Sequence, residues 1–502
     1  MTRKNKVLLT SLASVSNQIV TIISGFIIPR LFLTHYGSEV NGLVSSIVQF
    51  LGFITLAECG VGTVVGSSLY KPLAEKNNVE ISKIVISSER FFRKLSVLLF
   101  TYTAALFFLY PTFTKGSFDF FFTASLILVI SISSFAQYFI GMTYRILLNS
   151  DQLGFISLFM QVAAIILNTG ICAVLIHFDF PVHAVKLTSS VIFLFHPIIL
   201  TRIAKKLYPI DRTVVLTEEP IKQKWNGVAQ HVASVILNNT DVVVLTLFST
   251  LKNVSIYAVY NLVANGMKNL IYSLTLGTQA LFGNLLAKET HERVYRVFCT
   301  FEWIMHTITV LAFGVTAILI VPFVSVYTRG VTDVQYIQPV FALLITAAQG
   351  LFCIRLPYSV MVVAAGHYKQ TQLGAFIESV INIAVSVALV INFGLVGVAI
   401  GTIAAITFRT FHFALYINKH ILNKSSFGFF KHLFVDALTT ACFFLSTAWI
   451  TKAPSNYAEL FVLALEVGVI CLGSCAVINL VFYRKTVLDA LSFLKSRKKA
   501  AV

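Results

Sequence analysis

Charge is what this sequence has little of. Only 12% of its 502 residues are Asp, Glu, Lys or Arg, and acids are the scarcer sign, 21 against 38 bases. A soluble domain carries about 25% charged residues, so a water-facing surface cannot be built around most of this chain. The seven cysteines, Cys59, Cys172, Cys299, Cys353, Cys442, Cys471 and Cys475, are scattered and include no C-x-x-C pair. That pattern excludes a disulfide framework and a cysteine metal site, and it reads as small buried side chains. No G-x-x-x-x-G-K-[ST] loop is present, which excludes P-loop ATP binding. No G-x-S-x-G elbow and no D-x-D pair occur, and "HERVY" at 291–295 lacks the second histidine of a zinc motif. An enzyme is therefore not expected, and neither a metal nor another cofactor is called for.

What is abundant is apolar sequence. Hydrophobic residues make up 57% of the chain and its mean hydropathy is +0.83. Apolar runs of about 20 residues recur, each long enough to cross a ~30 Å hydrocarbon layer as a helix. We expect an all-α integral membrane protein with about 14 transmembrane helices, the first near 8–33 and the last near 459–483. The N-terminal MTRKNK precedes a long apolar run without a small-residue cleavage site, so the first segment is expected to be retained.

The basic residues sort by side. With the N-terminus inside, the outer loops hold only Lys115, Lys186, Lys252, Arg329 and Lys452, while most of the 38 fall on inner segments such as 71–94, 202–224 and 484–499. This asymmetry places both termini in the cytoplasm. It also accounts for the net charge of +17 without nucleic acid as a partner.

The polar stretch "LYPIDRTVVLTEEPIKQK" lies near the chain midpoint and reads as a linker between two halves. The expected organisation is a six-helix half over 1–201, a cytoplasmic linker over 202–226, a second six-helix half over 227–417, and two further helices with a basic tail over 418–502. A weak repeat accompanies it: "VNGLVSSIVQF" at 40–50 has the same hairpin placement as "VSIYAVYNLVA" at 254–264. Paired halves of this kind are a common transporter plan. The tail carries Val487, Leu488, Leu491 and Leu494 at helical spacing among cations, which suits either an interfacial helix or a solvated basic end.

Ionisable residues inside the membrane are expensive and usually functional. Glu58, Asp241 and Glu302 are candidates for ion coupling. The alternative reading is a neutral buried acid for Glu58, a loose ion pair with Lys268 across the hairpin near Lys252 for Asp241, and a helix-end carboxylate for Glu302. His306 shares a helix face with Glu302 at i, i+4 spacing. Glu378 and Arg409 lie at one depth on consecutive antiparallel helices turning near Phe393–Gly394, so a structural ion pair between them is expected. Arg30 sits near the outer end of the first helix, within snorkelling distance of the surface. Arg145 falls at an inner helix end and reads as interfacial. Arg355, in "LFCIRLPYSVMVV" at 351–363, lies about 16 Å from its helix end by axial rise. It has no acid within ten residues on either side, and Pro357 follows it. Either it lines a cavity at a kink, or it pairs with an acid from a distant helix.

Two stretches carry a family resemblance. "LTHYGSEVNGLVSSIVQFLGFITLAECGVGTVVGSSLYKPLAEKNN" at 33–78 and "AAGHYKQTQLGAFIESVINIAVSVALVINFGLVGVAIGTIAAITFRT" at 364–410 resemble Wzx-type polysaccharide flippases of the MATE-like exporter superfamily. The resemblance implies translocation of a polyprenyl-diphosphate-linked oligosaccharide from the inner to the outer leaflet of the cell membrane, by alternating access, for surface polysaccharide synthesis. Membrane lipids and other polysaccharide-assembly proteins are the implied partners. It also implies a cationic cavity for the diphosphate, with Arg355 and Lys268 as first candidates and Arg409 and Arg30 next. The sequence departs from a symmetric cavity, because its central cations fall in the second half. The rivals are a cation-coupled multidrug exporter, which would place acids in its cavity, and a lipid II-type flippase, which differs in cargo. A membrane polysaccharide polymerase or glycosyltransferase would call for a large outer loop or a metal-carboxylate motif, and the sequence has neither.

Overall fold

A computed structural model describes residues 3–58, 60–114, 117–214, 228–275 and 278–487. Most of the midpoint connection, from 215 to 227, and the basic tail from 488 onward lie outside the described residues. Among the described residues the chain is all α-helical, with 12 runs long and apolar enough to cross a membrane. It is a multi-pass membrane protein. Its residues group into two compact units, Met1–Ala258 and Val259–Val502.

The first unit holds α1 (Arg3–Gly52), α2 (Thr55–Glu58), α3 (Val61–Glu75), α4 (Asn78–Phe113), α5 (Phe120–Ala136), a π-turn (Gln137–Gly141), α6 (Met142–Ser150), α7 (Gly154–His177), α8 (Val182–Leu207) and α9 (Val228–Phe248). Helix α10 (Leu251–Ser273) begins in this unit and runs into the second. There follow α11 (Thr278–Lys288), α12 (His291–Tyr327), α13 (Pro339–Ile354), α14 (Leu356–Ala364), α15 (Gln372–His420), α16 (Phe427–Thr447) and α17 (Tyr457–Phe482).

Two of these helices are too long for one crossing. At 1.5 Å per residue, α1 and α15 would each extend about 75 Å, more than twice the hydrocarbon thickness. Each is broken by a glycine with positive φ, Gly37 (φ 80°) in α1 and Gly394 (φ 51°) in α15. Only glycine takes such angles without a Cβ clash. The halves of α15 then run antiparallel. Asn382 Nδ2 donates to Thr402 Oγ1 at 3.1 Å, and Ser386 Oγ donates to the Val398 carbonyl at 3.4 Å. Small residues allow this approach: a Cβ on Gly401 would sit 2.2 Å from Ser386 Oγ. Close glycine contacts of this type drive helix association where lipid removes the hydrophobic incentive.

Polarity is distributed as the bilayer demands. Bulky apolar side chains point outward, such as Phe121 at 74% and Leu445 at 76% exposure. Polar ones, including Asn382, Ser386, Thr371 and Arg409, are buried. In the first unit α1 packs on α7 and α9, and α5 packs on α4 and α8. In the second, α12 packs on α13, α16 and α17, and α13 packs on α15. Helix starts carry their own caps: Asn77 accepts from the Glu80 amide at 3.1 Å, and Asn456 accepts from the Glu459 amide at 2.9 Å.

Within the first unit, buried polar side chains join α1 to α9 and α10. Asn41 Nδ2 donates to Ser255 Oγ at 2.8 Å, with both residues buried in the first unit. Nearby, Ser46 Oγ and Thr246 Oγ1 lie 2.6 Å apart.

Candidate functional site

Pro357 has no amide hydrogen for the Cys353 carbonyl, and the helix is interrupted just before it. Helix α13 stops at Ile354, α14 starts at Leu356, and Arg355 is the residue between them. The packing of α13 on α15 then carries Arg355 to Glu378. Arg355 Nη1 donates to Glu378 Oε1, and the other carboxylate oxygen of Glu378 lies 3.5 Å from Arg409 Nε. All three side chains are buried. One carboxylate thus faces two guanidinium groups. The expectation that left Arg355 without a nearby acid is corrected here. Glu378 lies 23 residues away, and it holds Arg355 as well as Arg409.

Each arginine has further support. Arg409 Nη1 donates to the Thr371 carbonyl at 2.9 Å, and its guanidinium lies 4.0 Å from the centre of the Phe413 ring. Gly374 leaves it room, since a Cβ there would sit 2.3 Å from Arg409 Nη1. The Arg355 guanidinium lies 4.5 Å from the Phe352 ring, and Lys268 Nζ lies 5.1 Å from the same ring. Lys268 is buried at 8% exposure. The second unit therefore gathers Lys268, Arg355 and Arg409 around Phe352 and Glu378. In a low-dielectric interior, an ion pair survives only with good geometry and additional hydrogen bonds.

The remaining predicted residues are dispersed. Arg30 is half-buried on α1. Glu58 ends α2, within electrostatic reach of His231 and Arg145. Asp241 on α9 is buried and accepts from Tyr257 Oη at 2.9 Å. Glu302 on α12 accepts from Tyr358 Oη at 2.7 Å.

The first unit contains a polar cavity that the sequence does not announce. It has a volume of about 160 Å³ and is lined by Ser133, Ser134, Gln137, Arg145, Gln161 and His196 among others. The π-turn at Gln137–Gly141 shapes it, and π-turns recur at functional sites. Arg145 Nη2 donates to Met142 Sδ at 3.0 Å. Placing Arg145 at a helix end made it look interfacial. The only trace of the cavity in the sequence is that Gln137, Gln161 and His196 are polar side chains in otherwise apolar spans, with no motif joining them.

No family model matches the chain, and no curated protein matches it. Solved structures do. The chain is similar to the lipid II flippase MurJ in an inward closed conformation, with a TM-score of 0.71 at 14% identity over 96% of this chain and 100% of that one. It is similar to an inward-facing MATE family multidrug transporter of the MOP superfamily, with a TM-score of 0.61 at 15% identity, covering 81% of this chain and 96% of that one. It also matches a MOP superfamily transporter from Pyrococcus furiosus, described as having a binding pocket of reversed polarity, with a TM-score of 0.55 at 15% identity over 85% of this chain and 100% of that one. The fold is that of MOP superfamily transporters and flippases.

Proposed function

We propose that this protein flips a polyprenyl-diphosphate-linked oligosaccharide from the cytoplasmic to the outer leaflet of the cell membrane, with both termini in the cytoplasm. The observation that carries this reading is the pair of guanidinium groups, Arg355 and Arg409, on the single carboxylate of Glu378 within membrane-spanning helices. Arginine suits a diphosphate through its planar fork of donors. In the resting arrangement the Glu378 carboxylate stands where a ligand oxyanion would bind. An incoming diphosphate competes with it for Arg355, and Arg409 retains Glu378 when Arg355 is taken. Lys268, on the same aromatic ring as Arg355, adds a second cation on that side. Arg145, in its cavity of the first unit, is a further anion-binding candidate.

Transport follows from the same physics. Unpaired charge in hydrocarbon is very costly, so a diphosphate needs a cationic path while its lipid tail stays in the bilayer. An inside-negative potential favours outward movement of an anion by about 2.3 kcal/mol per charge per 100 mV. The two sequence halves, read as pseudo-repeats, are the elements that alternate.

The test is depletion of the protein in its host. Lipid-linked oligosaccharide accumulating on the cytoplasmic face, with lipid II turnover unchanged, supports the reading. Accumulation of lipid II instead shifts the cargo to peptidoglycan precursor. Loss of drug efflux without either change assigns a multidrug exporter.

A further inference from the structure

The second unit holds a second group of buried ionisable side chains. Helix α12 supplies Glu302 and His306, α14 supplies Tyr358, and α16 supplies Asp436. His306 Nδ1 lies 2.6 Å from Asp436 Oδ2, and His306 Nε2 lies 2.9 Å from Tyr358 Oη. Tyr358 Oη donates to Glu302 Oε1 at 2.7 Å. Tyr358 and His306 are almost fully buried, at 0% and 1% exposure. The four groups form one unbranched chain.

Counting hydrogens decides what this chain holds. Three hydrogen bonds in series need three hydrogens. A neutral tyrosine and a neutral imidazole supply one each, and ionised carboxylates supply none. The third must be an acquired proton, carried by the imidazole or by one of the two carboxyl groups. Without it one bond is lost, and two buried negative charges face each other across His306 and Tyr358. Among the described residues no grouping of three or more His, Cys, Asp or Glu side chains has the geometry of a metal site. A proton is therefore the cation this arrangement accommodates.

The chain is reachable from one end and braced at the other. Asp436 lines a cavity of about 290 Å³ together with Thr309, Thr346 and Thr440. The rest of the lining is mostly apolar, including Val310, Phe313 and Leu343, and the hydroxyls of Thr309 and Thr346, buried there without a protein partner, are the places where it can hold water. At the far end His432 on α16 stands 3.7 Å from Glu302, and its Nδ1 lies 2.7 Å from Tyr483 Oη. The other titratable groups around the chain are Tyr295 and Cys299 on α12, Lys431 on α16, and Cys475 on α17.

Arg355 immediately precedes α14, and Tyr358 is three residues further on, in the first turn. The Ser359 amide bonds the Arg355 carbonyl at 3.1 Å, so that turn moves as a piece. We infer that Asp436–His306–Tyr358–Glu302 is a proton-binding site whose occupancy sets the position of Arg355 against Glu378. A bound proton lets Tyr358 bond both His306 and Glu302 of α12 while His306 bonds Asp436 of α16. Its loss removes one of these bonds, shifts Tyr358 and, through one turn of α14, loosens the Arg355–Glu378 pair. Only the role given to Arg355 as a ligand group rests on the flippase reading; the proton site does not.

Two measurements on the full-length protein in lipid nanodiscs test this. The first counts protons released per chain between pH 5 and pH 8, the range in which histidine networks titrate. Asp436→Asn supplies the third hydrogen from its own amide, and His306→Gln removes the imidazole. Each variant should release about one proton fewer than the wild type. Counts equal to wild type in both folded variants overturn the site. The second is a melting cycle of Asp436→Asn with Glu378→Gln. Melting shifts that fail to add support the link through α14, and additive shifts overturn it. If the counts fall by one while the wild type moves no polyprenyl diphosphate oligosaccharide in proteoliposomes, the cargo reading fails and the proton site stands.

Discussion

Asn41 and Ser255 are 214 residues apart and joined by a 2.8 Å hydrogen bond. They also occupy the same position in the two copies of the sequence repeat, second in "VNGLV" and second in "VSIYA". The bond sits in a dry, buried setting, where an orphaned polar group costs about 1–3 kcal/mol. Asn41→Leu should therefore lower the melting temperature measurably. The double substitution with Ser255→Ala should cost less than the two single substitutions together, because the bond they share can be lost only once. Strictly additive losses would show that the pair is not coupled.

Glu378 separates a structural from a ligand role for its two arginines. Glu378→Ala leaves two guanidinium groups buried without their carboxylate, and breaking a buried pair costs about 3–5 kcal/mol. That variant should be hard to purify folded. Adding Arg409→Met should restore much of the stability, since Arg409 is the more enclosed of the two, with its side chain 1% exposed against 10% for Arg355. Arg355→Ala should behave differently. Glu378 retains Arg409, so the protein stays folded while glycan export is lost. Size-exclusion profiles paired with an export assay separate the two outcomes, and normal export by a folded Arg355→Ala protein removes Arg355 from the ligand path.

Sequence reasoning carried as far as local geometry reaches. Apolar run length gave an all-helical membrane protein, with 12 candidate spans among the described residues against about 14 expected, and the polar turn near Gly394 gave the antiparallel register that puts Glu378 and Arg409 3.5 Å apart. Depth along neighbouring helices needs only axial rise and a turn position. The Arg355–Glu378 contact needs something else, the lateral packing of α13 on α15, which no periodicity encodes. The Asp436–His306–Tyr358–Glu302 chain draws on three helices, and only the Glu302–His306 spacing is visible as a pattern. The Arg145 cavity depends on a five-residue π-turn, Gln137–Gly141. That turn re-aims the side chains after it, and the sequence carries no local marker for it.

The α15 hairpin offers a steric test. A Cβ at position 401 would sit 2.2 Å from Ser386 Oγ and 2.7 Å from the Ser386 amide nitrogen. The backbone atom cannot rotate away, so Gly401→Ala should separate the two halves of α15 and destabilise by about 1–3 kcal/mol as overpacking does. Ser386→Gly in the same chain relieves the hydroxyl clash and leaves the backbone one, so rescue should be partial. Melting in detergent measures both, and a fully stable Gly401→Ala protein means the halves are not packed this closely.

Arg145 provides the test of anion binding in the first unit. Its guanidinium donates to a thioether, Met142 Sδ at 3.0 Å, a weak acceptor for such a group. A cation held so loosely contributes little to folding, and replacing it with glutamine keeps a polar donor in the cavity of Gln137, Gln161 and His196. Arg145→Gln removes one weak bond and keeps a polar donor in the cavity, so it should melt within a few degrees of the wild type. Its affinity for a short polyprenyl diphosphate should fall by about tenfold or more, because a hydrogen bond to a charged group is worth about 1.5–3 kcal/mol. Arg145→Lys keeps the charge and loses the fork, and should fall in between. Calorimetric titration in detergent reads all three. Unchanged affinity in Arg145→Gln assigns the cavity to packing and leaves the anion to Arg355 and Lys268.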